Sequence, residues 1–176
     1  SKKATWQETL LAARDERGAK RRDSLWERVQ QDFPGLHWDY ERKLERAAGI
    51  WDLDATAGPL RALARRYAAA CKGPLRDKAL TMAETAQTEA DLQRVRDCFY
   101  APHAEARLDF ARKTLALVER AGRTRDGDIP PTMRALAADL QAIEKQLEGG
   151  THSGAQALYT DLRLLRRRII LSHPLL

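Results

Sequence analysis

Two cysteines, four histidines, a few paired acids and three basic runs are the residues of this chain whose types could do chemistry. Cys71 and Cys98 both fall near the C-terminal ends of expected helices, over 60–71 and 88–100. With the intervening helix over 75–86 running the other way, the two thiols come out at the same end of a bundle. A disulfide there would close a mid-sized loop, contribute on the order of 3 kcal/mol and place the chain in an oxidising compartment. The alternative is two independent buried thiols acting as small apolar groups.

A metal site needs ligands that converge, and His37, His103, His152 and His173 are far apart in sequence. His103 with Glu105 and Asp109 is the one local cluster, and His103 and Glu105 do not share a helix face. No metal and no other cofactor is therefore expected. Gly-x-Ser-x-Gly, His-Glu-x-x-His and a Gly-rich phosphate loop are all missing from the sequence. Asp52 with Asp54, and Asp126-Gly127-Asp128, sit in expected loops. Such pairs can chelate a hard cation, but loop acids are more often just solvated.

The basic runs are Lys20-Arg21-Arg22, Arg65-Arg66 and Arg166-Arg167-Arg168. Together they could hold an acidic polysaccharide or a nucleic-acid backbone. Consecutive helical residues lie about 100° apart, so the last three arginines cannot form one flat patch. Some of them must pair with carboxylates. The excess of 31 Lys+Arg over 25 Asp+Glu is modest and interleaved, which makes nucleic acid an unlikely partner. Trp6, Trp26, Trp38 and Trp51 all fall in the first third. Trp26 and Trp51 fit apolar stripes; Trp6 and Trp38 could line a carbohydrate groove.

The elements that must position these residues are helices. Alternating strand patterns are nearly absent, and apolar residues recur at helical spacing. Expected stripes include Trp6-Leu10-Ala13, Leu25-Trp26-Val29-Phe33, Tyr40-Leu44-Ala47-Trp51 and Leu60-Leu63-Tyr67-Cys71. Thr88 with Asp91 resembles a capping box. Pro102 is expected to break or kink the chain. Three stronger helices follow, over 103–121, 131–148 and from about Ser153 onward. They carry Leu108-Ala111-Leu115-Val118, Leu136-Leu140-Ile143-Leu147 and Leu158-Leu162-Leu165-Ile169. Short connections imply antiparallel neighbours. The expected fold is all-α, an antiparallel helical bundle or array of roughly seven or eight helices. It forms a single domain over 1–176, with 1–101 and 102–176 as alternative subdomains. No apolar run approaches the roughly 20 residues of a membrane span.

The last helix is apolar around more of its circumference than a surface helix, and it runs into Ser172-His173-Pro174-Leu175-Leu176. The segment from Leu164 to Leu176, with Arg166-Arg167-Arg168-Ile169-Ile170-Leu171 at its centre, resembles a stretch in large exported bacterial proteins related to the hydrazine synthase alpha subunit. In those proteins a helical N-terminal region leads through such a stretch into a β-propeller. The resemblance is confined to this tail, and the acidic and aromatic continuation of the family motif is not present. It implies an extracytoplasmic chain, a β-propeller as neighbour, and Ile169, Ile170, Leu171, Pro174, Leu175 and Leu176 as interdomain contacts. Haem chemistry is not carried over, because Cys-x-x-Cys-His is missing. The chain opens on Ser1-Lys2-Lys3 rather than Met, compatible with a removed export signal. The expected function is a non-catalytic helical module packing against another domain of a larger exported protein. The alternatives are a polyanion-binding module, and part of an enzyme whose catalytic residues lie elsewhere.

Overall fold

A computed structural model of the chain describes residues 45–122, 130–150 and 152–172, and besides these Glu8, Ala12, Arg21 and Ser24. Its α-helices are α1 (Ile50–Ala55), α2 (Leu60–Ala70), α3 (Arg76–Glu84), α4 (Glu89–Gly122), α5 (Pro131–Glu148) and α6 (Ala155–Leu171), with a 3-10 turn over Gly73–Leu75. No strand occurs among the described residues, and the fold is an all-α helical array. The expected stripes at residues 1–44 lie outside the described segments.

Turn chemistry sets the boundaries. Gly49 has φ +69, a left-handed conformation that a Cβ would strain, and it reverses the chain into α1. Pro74 lies in the first turn of the 3-10 segment ahead of α3. At the head of α4 the capping box is complete. Asp91 N–H donates to Thr88 Oγ1 at 3.2 Å, and Asp91 Oδ2 accepts from the amides of Thr88 and Gln87 at 3.0 and 2.9 Å. Asp is one methylene shorter than the usual Glu, yet it reaches both amides. The bonds hold the Asp91 carboxyl below the ordinary range, the Gln87 amide first among the causes.

α4 is the helix on which the others lean: α2, α3, α5 and α6 all pack against it. Its buried apolar stripe includes Leu92, Val95, Phe99, Ala101, Ala104, Leu108, Ala111, Leu115 and Val118. From Ala101 onward the spacing alternates strictly between three and four residues. That stripe overturns the expected break. The helices expected over 88–100 and 103–121 are one helix, with Pro102 inside it and its ring exposed. A proline within a helix costs about 3 kcal/mol. Burying Leu108, Leu115 and Val118 beyond it contributes roughly 1.5–3 kcal/mol each, so burial wins.

Pro102 also removes the amide that would bond the carbonyl four residues back, which is that of Cys98. The carbonyl is not left bare. The thiol of Cys71, fully buried at the C-terminus of α2, donates to Cys98 O at 3.3 Å. One sulfhydryl from a neighbouring helix thus fills the place of the missing backbone donor.

α5 buries Met133, Leu136 and Leu140, with Ile143 and Leu147 packed at the edge of the core. Arg112 of α4 pairs with Glu144 of α5. α6 buries Leu158, Leu162, Leu165 and Ile169, as the periodicity expects. Its start is capped from outside. Asp97 of α4, itself buried, accepts from the amides of Gly154 and Gln156 at 3.0 and 3.2 Å. A carboxylate placed at a helix N-terminus satisfies orphan amides and complements the helix dipole.

The linkage between Pro102 and Cys71 is measurable by chemical denaturation of four variants. Cys71→Ala alone should cost about 2 kcal/mol by leaving the buried Cys98 carbonyl unsatisfied. In a Pro102→Ala background the new amide takes over that carbonyl, so the same substitution should cost clearly less. Equal costs in both backgrounds would show that the thiol does not serve the carbonyl.

Candidate functional site

The chemistry-bearing groups converge where residues 45–50 meet α4 and α6. Glu45 lies in a helical turn just before Gly49 and is 1% exposed. The expected stripe had Ala47 inward; the structure exposes Ala47 and buries Glu45 instead. Trp51 Nε1 donates to Glu45 Oε2 at 2.8 Å and Tyr159 Oη to Oε1 at 3.0 Å. Arg163 Nε stands 2.6 Å from Oε1, a close ion pair rather than an aligned hydrogen bond. Arg107 Nη2 lies 3.5 Å from the same oxygen, and its guanidinium stacks 5.6 Å from the Tyr159 ring centre. A buried carboxylate needs such company, because an unpaired one would be strongly disfavoured.

A second carboxylate sits on the other side of an aromatic row. Asp54 accepts from Tyr67 and Tyr100, both at 2.6 Å. Asp52 and Asp54 belong to α1 and not to a loop, and Asp54 spends both oxygens on phenols. Tyr67, Phe99, Tyr100 and Tyr159 follow one another at 5.6, 5.1 and 5.2 Å between ring centres, so the row joins Asp54 to Glu45. Burial, then the bond to Asp54, pushes Tyr67 up to about 12. Burial likewise raises Tyr159 to about 12 and Tyr100 further. At neutral pH these phenols are donors, not bases.

His103 lies 5.0 Å from Phe99 between ring centres and is half-buried. Burial, then the charges of Arg107 and Lys72, hold its pKa below the ordinary value. With Glu45, Arg107, Phe110, Ile50 and Tyr159 it lines a cavity of about 320 Å³.

The sequence-predicted residues fall elsewhere or inward. Cys71 and Cys98 do come together, and both are free, buried thiols whose pKa values burial raises. Arg166 packs over Phe110 at 4.0 Å and donates through Nε to Thr114 at 3.2 Å. Arg167 is buried and Arg168 half-buried, so the three arginines are not a solvated patch. Arg21 is exposed; Lys20 and Arg22 lie outside the described residues. Arg65 is exposed and pairs with Glu84 at 3.0 Å. Ile169 and Leu171 are buried within this chain and Ile170 is half-buried, so α6 uses its apolar excess internally. His37, His173, Pro174, Leu175, Leu176, Asp126, Asp128, Trp6, Trp26 and Trp38 lie outside the described residues.

Sequence reasoning missed Glu45, Asp97 and Arg107, and it read Asp54 as a loop acid rather than a helix residue bonded to two phenols. One signal was present. Arg107 occupies a core position of the stripe, three residues after Ala104 and four before Ala111, where a charge demands a buried partner. Among the described residues no group of three His, Cys, Asp or Glu could hold a metal ion, and no helix is long and apolar enough to cross a membrane. No family model, no curated protein and no solved structure matches the chain.

Two outcomes follow from this geometry. Glu45→Ala strips Trp51, Tyr159, Arg107 and Arg163 of a shared acceptor and should cost about 3–5 kcal/mol in denaturant unfolding. His103 makes stability pH-dependent. Its folded pKa is depressed, so on acidification the unfolded chain takes up the proton first, and stability falls as pH drops below the ordinary His value of about 6.5. In His103→Gln that acid-side slope should flatten when Tm is followed from pH 7.5 to 5. An unchanged slope would assign it to other groups.

Proposed function

We propose that this chain is a non-catalytic helical module of a larger exported protein, where it packs against another domain of the same polypeptide. The observation that carries the reading is how the acids of the array are used. Glu45, Asp54 and Asp97 each accept from two or more groups on other elements, so the groups best suited to acid or base chemistry serve as cross-links between helices. α6 supports the interdomain part. It holds most of the segment that resembles the approach to a β-propeller, and it lies against α4 and α5. A domain joined beyond α6 would follow a helix that is itself packed on α4, the hub of the array. The contact itself falls to residues other than Ile169 and Leu171, which are already covered.

The coding sequence on the far side of Leu176 provides the first test: propeller repeats are expected there, and a stop codon would end the reading. The second is backbone NMR relaxation of the array joined to that continuation. One common tumbling time is expected for a packed pair of domains. Two independent tumbling times would overturn the proposed packing.

A further inference from the structure

We propose that the cavity between residues 45–50, α4 and α6 is a binding site for a small planar carboxylate, a property independent of the interdomain reading. Its volume of about 320 Å³ falls within the roughly 300–1,000 Å³ typical of small-molecule pockets. Exposed Ala47 and Ala106 form its rim, so a solute reaches it from solvent. Buried Ile50, Glu45 and Tyr159 form its floor. The walls are mostly apolar, and Phe110 supplies an aromatic ring that Arg166 braces at 4.0 Å. That shape and surface suit a flat apolar body.

The polar groups select the charge of the ligand. Glu45 is the one acid lining the cavity among the described residues, and it is engaged by Trp51, Tyr159 and Arg163. A ligand cation would have to compete with Arg163 and Arg107 for it. His103 offers the reverse. The groups around it are Arg107 on α4, Lys72 after α2, Glu45 before α1 and Tyr159 on α6. Burial, then the charges of Arg107 and Lys72, hold the imidazole below its ordinary pKa. The same positive field that disfavours an imidazolium favours a carboxylate, and the imidazole N–H can donate to it. A bound carboxylate then stabilises the protonated ring, so binding and proton uptake at His103 are linked.

Benzoate is a suitable probe, with benzyl alcohol and benzamidine as neutral and cationic counterparts of the same ring. Benzoate should shift the His103 imidazole signals in NMR titrations and raise the pH at which they protonate. Benzyl alcohol should bind at least about tenfold more weakly, for want of a charge-assisted hydrogen bond. Ala106→Leu puts apolar bulk at the rim without touching a polar group and should abolish binding. Its thermal unfolding, checked alongside, should remain close to that of the parent chain. His103→Gln should weaken benzoate more than benzyl alcohol. The proposal fails if benzamidine binds as well as benzoate, if a folded Ala106→Leu protein binds benzoate undiminished, or if benzoate leaves His103 unshifted up to its solubility limit.

Discussion

Pro102 takes one amide hydrogen out of the middle of α4, and α4 is the helix against which α2, α3, α5 and α6 all pack. Everything built on that helix depends on its continuing through the gap. Two effects carry it across. The apolar stripe on either side of the proline is buried, and breaking the helix would expose it. The orphaned Cys98 carbonyl receives the Cys71 thiol, which arrives from α2 at the right depth because α2 ends there. The thiol is a weak donor, but an unmade bond at a buried carbonyl is expensive, so a weak donor is much better than none. This use of Cys71 also bears on its redox state. Oxidation to a disulfide with Cys98 would remove the proton that the carbonyl accepts, so the reduced form is the one that fits the helix as built.

The same economy governs the acids. Asp97 caps α6 from α4, Asp54 ties α1 to α2 and α4 through two phenols, and Glu45 joins the chain before α1 to α4 and α6. Each is a polar joint between elements whose apolar contacts alone would tolerate sliding. Ladders of Leu and Ala pack in several registers at similar energy, whereas a carboxylate that must meet two or three donors fits one. The small residues make this close approach possible: Ala64, Ala68, Ala79, Ala83, Ala104 and Ala111 are all essentially buried, which lets the helices draw together.

The cavity beside Glu45 is the place where this packing is incomplete. Its floor is the polar joint and its rim is alanine, so space remains where larger side chains would otherwise meet. That arrangement makes a site whose polarity is inherited from structure: the arginine placed to neutralise Glu45 also sets the potential felt by His103.

How much of this was legible depends on the range of the interaction. The stripe of α6 and the Thr88–Asp91 cap were readable because their partners lie within one or two turns of the same chain. Alternating helix directions led to the cysteines at one end of a bundle; in the structure both thiols are free, and that of Cys71 reaches the Cys98 carbonyl. The break at Pro102 was misread because the local rule for proline is sound, and only the burial of residues far along α4, with a donor arriving from α2, outweighs it. Ala47 was turned inward for the same reason. Size and polarity alone favour alanine over glutamate at a core position, and Glu45 is buried because Arg107, Tyr159 and Arg163 are waiting more than sixty residues away. Helical periodicity and capping are written in neighbouring residues, so the sequence by itself determined an all-α array and most of its helix faces. Which polar residues go inside, and which cavity they line, is decided by partners distant in sequence, and only the tertiary structure brings those together.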